Sequence, residues 1–175
     1  MRLLVSYFLI ILLFASCGQN DKKGTDKIAN SFHAIIPKEP MGWVSDYESV
    51  FRPNEIAYLD SIIGNHKKLT TNEIAVATLM LDTFSIKTPE DFDQLSLELF
   101  NKWSVGEKDK NNGVGILISV ELKKIRIEVG YGLETKLTDE EAKNIIDTII
   151  IPDFKKGDYF TGISKGLEAI FKEIQ

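Results

Sequence analysis

Gly113-Val-Gly-Ile-Leu-Ile-Ser-Val120 and, after a short polar turn, Lys124-Ile-Arg-Ile-Glu-Val129 form the stretch on which the fold depends. The first run is apolar without alternation, the pattern of a strand buried on both faces. The second alternates apolar with charged residues, the pattern of a strand with one solvated face. The gap between them suits a hairpin, so the pair reads as antiparallel. Upstream, Glu73-Ile-Ala-Val-Ala-Thr-Leu-Met-Leu-Asp82 is a second near-continuous apolar run that also needs cover on both sides.

Helical periodicities fill the intervals. Pro53 suits a first helical turn, and Ile56, Leu59, Ile62, Ile63 and Leu69 follow at helical spacing. Thr88, Pro89 and Asp91 open a helix carrying Phe92, Leu95, Leu99, Phe100 and Trp103. Thr138 and Glu141 form a capping box ahead of Ala142, Ile145, Ile146, Ile149 and Ile150, a helix that Pro152 is expected to stop. Phe160, Ile163, Leu167, Ile170, Phe171 and Ile174 mark a final amphipathic helix. Four helices with about four strands predict an α/β fold, a single-domain three-layer α/β/α sandwich whose mixed sheet carries helices on both faces.

The 175 residues suffice for one such domain and exclude a large multidomain enzyme. One Cys excludes an internal disulfide, and one Cys with two His makes a structural zinc site untenable. A formal charge of −5 argues against nucleic acid as a partner.

The N-terminal residues differ from the rest. Met1–Arg2 is a short basic start, and Leu3–Phe14 is an uncharged apolar run too short to span a bilayer but of signal-peptide length. Phe14-Ala-Ser-Cys17 resembles the lipobox of bacterial lipoproteins, with Phe14 departing from the usual Leu. Residues 1–16 therefore read as a lipoprotein signal peptide and Cys17 as the lipidation site, attaching the protein to a membrane of the cell envelope on its periplasmic side. Gly18 after Cys17, in place of Asp, favours the outer membrane. Residues 17–40 read as the lipidated Cys and a polar, flexible tether averaging roughly 25 Å end to end. Residues 41–175 are left for the domain.

Several motifs in register then carry a resemblance: Val44-Ser-Asp46-Tyr, Trp103-Ser-Val-Gly106, Asn111-Asn112-Gly113-Val-Gly, Arg126-Ile-Glu128-Val-Gly130-Tyr131-Gly132, and Pro152-Asp-Phe-Lys-Lys-Gly157-Asp158-Tyr159. Over residues 40–175 the chain resembles the TPM domain family. That resemblance implies a Rossmann-like sandwich without a dinucleotide site. It also implies attachment to or secretion across a membrane, and functions that include divalent-cation binding, acid phosphatase activity and accessory roles beside membrane complexes.

The candidate site residues are weighed against simpler roles. Gly130-Tyr131-Gly132 fails as a dinucleotide fingerprint because Thr135 stands where Gly is needed, which leaves a tight turn; the resemblance makes Tyr131 a cleft-lining candidate. Asp109-Lys-Asn111-Asn112-Gly113 is no EF-hand, since Val120 occupies the twelfth position, but it gathers hard oxygen donors suited to Ca²⁺ or Mg²⁺. With the family's cation binding, Asp46 becomes the expected distant carboxylate partner of Asp109, Asn111 and Asn112. Asp82 ends a buried strand, where ligand sites of open α/β sheets lie; Phe84 two residues on disfavours an aspartyl nucleophile and leaves a metal-ligand or capping role. Glu128 is either a solvated strand residue or an inward acid, and Asp158 caps the last helix or lines the cleft. His66, on the first helix between Asn65 and Lys67, reads as a surface residue, so no Ser/His/Asp constellation is expected.

Three functions follow as expectations. The first is a membrane-anchored, monomeric TPM domain that binds a divalent cation in an acidic loop cleft and serves membrane-protein complexes as an accessory or maintenance module. The second is a metal-assisted acid phosphatase. The third is a structural protein-interaction domain.

Overall fold

The computed structural model describes Phe32 and residues 34–175. The expected signal peptide at 1–16, the expected lipidation site Cys17 and most of the expected tether lie outside the described residues. Among the described residues no helix is long and apolar enough to cross a membrane.

Four strands form one sheet in the order β1-β2-β3-β4: β1 (Val44–Asp46), β2 (Glu73–Thr78), β3 (Gly113–Ser119) and β4 (Lys124–Val129). β1, β2 and β3 are parallel, with Asp46 beside Thr78 and Glu73 beside Gly113. β4 returns antiparallel to β3, Val129 opposite Val114 and Lys124 opposite Ser119, so the hairpin expected from the sequence is present. Every residue of β3 is buried, as is all of β2 after Glu73, in keeping with their unbroken apolar runs.

Each face of the sheet carries its own apolar layer. On one face, Ile74, Val76, Ile116, Ile118 and Ile127 meet Leu59 and Ile63 of α1 (Pro53–Thr70) and Ile163, Leu167 and Ile170 of α5 (Tyr159–Glu173). On the other, Ala75, Ala77 and Leu117 meet Phe92, Leu95, Leu99 and Phe100 of α2 (Pro89–Lys102). Phe100 lies directly on β3 because Gly115 has no side chain; a Cβ there would overlap the ring. The fold is the expected α/β sandwich.

α2 covers the second face with the help of the chain that precedes β1. Phe32 and Ile36 are buried in its layer. Lys102 Nζ donates to the Ile36 carbonyl at 3.1 Å and Trp103 Nε1 to the Pro37 carbonyl at 3.2 Å. Residues from Phe32 onward, read from their polarity as tether, thus belong to the packed domain.

The connections β1-α1-β2 and β2-α2-β3 step across the sheet in the same direction, yet α1 and α2 lie on opposite faces. Such crossovers are of opposite hand, so one departs from the right-handed rule that nearly all βαβ units obey.

The predicted helix starts hold. Asp91 N–H donates to Thr88 Oγ1 at 3.1 Å and Thr88 N–H to Asp91 Oδ2 at 2.9 Å. Thr138 and Glu141 reciprocate in the same way at the start of α3 (Asp139–Asn144). Pro152 does not end the helix that follows. A π-helical turn over Ile145–Ile150 passes into α4 (Ile151–Phe154), and Ile151 N–H bonds the Ile146 carbonyl five residues back. The widened turn changes the register just before the proline, whose missing N–H is then accommodated inside a continuing helix.

His66 is also not where its neighbours suggested. It is buried, stacked on Phe171 of α5 with ring centroids 4.3 Å apart and planes at 11°, and its Nε2 meets no protein partner. Burial holds its imidazole below the usual value of 6.5. The unfolded chain therefore takes up this proton more readily than the folded one. The stability that neutral His66 contributes is complete above about pH 6.5 and is lost as pH falls below it. We expect the urea midpoint to drop between about pH 7.5 and about pH 5, and to drop less in His66→Phe. An equal drop in both proteins would remove His66 as its source.

Candidate functional site

The sheet has two functional ends to choose between, and its topology separates the candidate residues. β1, β2 and β3 all finish at one edge, where Asp46, Thr78 and Ser119 stand. β4 runs the other way, so its end, Gly130-Tyr131-Gly132, lies at the starting edge with Asn111 and Asn112: Gly130 N–H bonds the Gly113 carbonyl and Gly132 N–H the Asn111 carbonyl. Five residue steps of β2 separate the Asp46 and Gly113 positions, about 17 Å at the rise of a strand.

That distance corrects the expected cation site. Metal–oxygen contacts for Ca²⁺ are about 2.3–2.6 Å, so Asp46 and Asp82 cannot share an ion with Asp109, Asn111 and Asn112. One of the loop donors is also engaged otherwise. Asn112 is buried; its Oδ1 accepts from Glu107 N–H at 2.8 Å and its Nδ2 donates to the Thr71 carbonyl at 3.1 Å. Asn111 adopts a left-handed backbone with φ 48°. These residues fasten the β2 and β3 starts together. A Cβ at Gly130 or Gly132 would strike the carbonyl of Asn111 or Lys110, so both glycines serve close backbone approach. Tyr131 is exposed at this edge, away from the end where Asp46 and Thr78 stand.

At the finishing edge Asp46 is a clasp. Its Oδ1 accepts from Thr78 Oγ1 at 2.6 Å and Val50 N–H at 3.0 Å, and its Oδ2 from Phe51 N–H at 2.8 Å. These bonds hold the β1–α1 loop through Ser49, whose φ of 56° is uncommon outside glycine. Thr78 in turn accepts from Glu48 N–H at 3.0 Å. Glu48 then reaches over the end of β2 to the end of β3, where its carboxylate accepts from Val120 N–H at 3.0 Å.

Glu48, Asp82 and Glu121 line a single open cleft of about 850 Å³ across the strand ends, with Met80, Val120, Gly157 and Tyr159 among its other walls. Burial is the main cause that raises the Glu48 carboxyl above its usual range; the amides of Val120 and Glu121 oppose the rise, while the charges of Asp46 and Glu121 add to it. Asp82 Oδ1 accepts from the amides of Ser85 and Phe84, and Ser85, through its amide first and then its hydroxyl, is the main cause that lowers the Asp82 carboxyl. Asp158 caps α5 through Thr161 N–H at 3.1 Å and lines a smaller pocket with Arg52 and Lys156. Glu128 belongs to neither end: it sits on β4 beside Arg126, whose Nε donates to it at 3.0 Å, and burial raises its carboxyl against the pull of that guanidinium. It is an inward acid of the α2 side.

Sequence reasoning missed Glu48 and Thr78. Thr78 carried a signal, since it is the one hydroxyl inside the apolar run from Ile74 to Leu81. Glu48 carried none that separates it from the chain's other loop acids.

The clasp generates a stability prediction. Asp46→Ala removes the acceptor for three donors and is expected to cost about 2–3 kcal/mol, read from the urea midpoint. Asp46→Asn, which keeps one carbonyl acceptor, should recover part of the loss. An unchanged midpoint in Asp46→Ala would show that the loop is held by other means.

The fold recurs in solved structures. The chain is similar to the N-terminal domain of a P. gingivalis protein, with 25% identity over 83% of this chain and 87% of that one, and a TM-score of 0.67. It is similar in fold to the BA42 protein of Bizionia argentinensis, at 22% identity, 73% and 83% coverage and a TM-score of 0.58. The N-terminal domain of the cg2496 protein of Corynebacterium glutamicum shares the fold at 17% identity, 79% and 84% coverage and a TM-score of 0.56. No curated protein matches the chain. The TPM domain model matches residues 44–173, from the first strand to the end of the last helix, and the chain belongs to the TPM domain family.

Proposed function

We propose that the protein is an accessory module of the cell envelope, anchored through Cys17, whose working site is the cleft at the finishing edge of β1–β3 and whose ligand there is a hydrated divalent cation, Ca²⁺ or Mg²⁺. One observation carries the reading: Glu48, Asp82 and Glu121 line one cleft, and among the described residues no ion pair involves any of them or Asp46. Uncompensated carboxylates in a concave wall concentrate a negative potential that attracts cations.

The fit is a loose one. Among the described residues no three acidic, His or Cys side chains stand close enough to hold a bare ion. An open cleft with dispersed carboxylates suits an ion that keeps most of its water and touches one or two protein oxygens, as Mg²⁺ commonly does. The residues that would hold it are Glu48 and Glu121, with Asp82 in the lining of the same cleft. The affinity is then expected to be weak, on the order of 10⁻⁴–10⁻³ M.

Acid phosphatase activity is the competing reading, and Asp46 does not favour it. Both of its oxygens already accept hydrogen bonds from the loop and from Thr78, which leaves it poorly placed as a nucleophile or base.

Titration of the protein with MgCl₂ or CaCl₂, followed by amide chemical shifts, tests the proposal. Saturable shifts are expected at Glu48, Val120 and Glu121, weakened several-fold in Glu48→Gln, with Asn111 and Asn112 unmoved. Shifts confined to the Asp109–Asn112 loop, or none at about 10 mM cation, would overturn it. Hydrolysis of an aryl phosphate that disappears in a folded Asp46→Asn variant would replace it with the phosphatase.

A further inference from the structure

Two large apolar side chains project from the β2–α2 loop. Met80 is 74% exposed and Phe84 86% exposed, while Leu79, Leu81 and Ile86 between and beside them are buried. The loop is held in this form from within: the Asp82 carboxylate accepts from the amides of Phe84 and Ser85, and the Asp91 carboxylate from those of Lys87 and Thr88. Its exposed apolar groups are therefore presented by a fastened loop.

The same end of the molecule receives the chain from its N-terminus. Phe32 and Ile35 line one depression of about 480 Å³ together with Phe84, Ser85 and Lys87. From there a single turn, in which Ile35 and Ile36 N–H donate to the Phe32 carbonyl, leads to Pro37, whose carbonyl accepts from the indole of Trp103. The described domain thus begins next to Phe84. Fourteen residues, 18–31, separate it from Cys17. A polar coil of that length averages roughly 20 Å end to end, and fully extended it reaches only about 50 Å.

We propose that the Met80–Phe84 loop is a membrane-contact surface, and that its partner is the lipid bilayer to which Cys17 is attached. The inference rests on the lipidation of Cys17 and goes beyond the cation reading of the cleft. Two apolar side chains give little partitioning to a free protein. A short tether converts the encounter into an intramolecular one, at an effective concentration of roughly millimolar, so that a weak contact is occupied. The tether enters beside the loop, so the loop is the part of the domain that the anchor holds nearest the lipid. Phe84 and Met80 enter the interface, Lys87 on the same loop faces the anionic headgroups, and Asp82 and Asp91 stay hydrated while bonded to loop amides. The cleft that Met80 and Asp82 also line then opens at the membrane surface.

Cys17 is the only cysteine, so once it is lipidated an introduced cysteine can be labelled alone. The lipidated full-length protein, carrying a fluorophore at Thr83→Cys or at Leu69→Cys, would be reconstituted into vesicles of phosphatidylethanolamine and phosphatidylglycerol with spin-labelled acyl chains. Leu69 is 85% exposed but lies at the end of α1, at the opposite edge of the sheet. Quenching is expected to be several-fold stronger at position 83 than at position 69, and Met80→Ser with Phe84→Ser should reduce it at position 83 to the level of position 69. Equal quenching at the two positions, or no effect of the double substitution, would overturn the contact while leaving the anchor intact. A protein that fails to float with the vesicles would overturn anchor and contact together.

Discussion

The structure depends on the burial of β2 and β3 on both faces. A strand such as Gly113–Ser119, with no exposed residue, needs an apolar layer above and below it, and each fully buried aliphatic side chain is worth about 1.5–3 kcal/mol. One layer is generous, built from α1, α5 and the helical run through Ile145–Phe154. The other has a single long helix, α2. That imbalance accounts for the role of Phe32 and Ile36: they complete the thinner layer, so the chain before β1 is recruited into the core. The removal of a side chain at Gly115 serves the same end by letting Phe100 settle directly on the strand.

Recruiting that segment fixes where the chain joins the domain, which a floppy linker would leave open. Phe32 lies by the β2–α2 loop, and the turn it opens, with Ile35 and Ile36 N–H donating to its carbonyl, is tied by side chains of Lys102 and Trp103 to the end of α2. The finishing edge of the parallel strands thereby gathers three features: the entry of the chain, the exposed Met80 and Phe84, and the acidic cleft. The starting edge gathers fastenings instead. Asn112, Gly130 and Gly132 knit β3, β4 and the α1–β2 turn at close range. A structural division between the two ends follows from packing alone.

Local signals in the sequence were legible where local chemistry decides. Thr88 with Asp91 and Thr138 with Glu141 are satisfied within four residues, so their reading needed no knowledge of the fold. The apolar runs of β2 and β3 announced their burial for the same reason. Reading failed where a distant partner decides. His66 is buried by Phe171, more than a hundred residues later, though its immediate neighbours are polar. Pro152 stays within a helix because an earlier π-helical turn makes room for it. The proposed Asp46–Asn111 pairing failed because β1 and β3 run parallel in one sheet, so the end of β1 and the start of β3 lie at opposite edges, and no local property of either residue reveals that shared direction. The hand of the two crossovers was illegible as well, since only the faces taken by α1 and α2 determine it.

The acids of the finishing edge illustrate how structural and binding roles divide among residues of one type. A carboxylate has two oxygens and room for about four donors. Asp46 spends both oxygens on the loop and on Thr78, and its value lies in making the β1–α1 turn possible. Asp82 spends one oxygen, Oδ1, on the amides of its own loop. Glu48 is held by amides at the end of β3 but remains raised by burial and by its acidic neighbours, whereas the amides of its own loop lower Asp82. The cation proposed for the cleft would offset the cost of keeping Glu48 charged there. The residues that shape the edge and the residue that would gain most from a ligand are therefore different, and substitution of Asp46 and of Glu48 reports on separate properties of the same site.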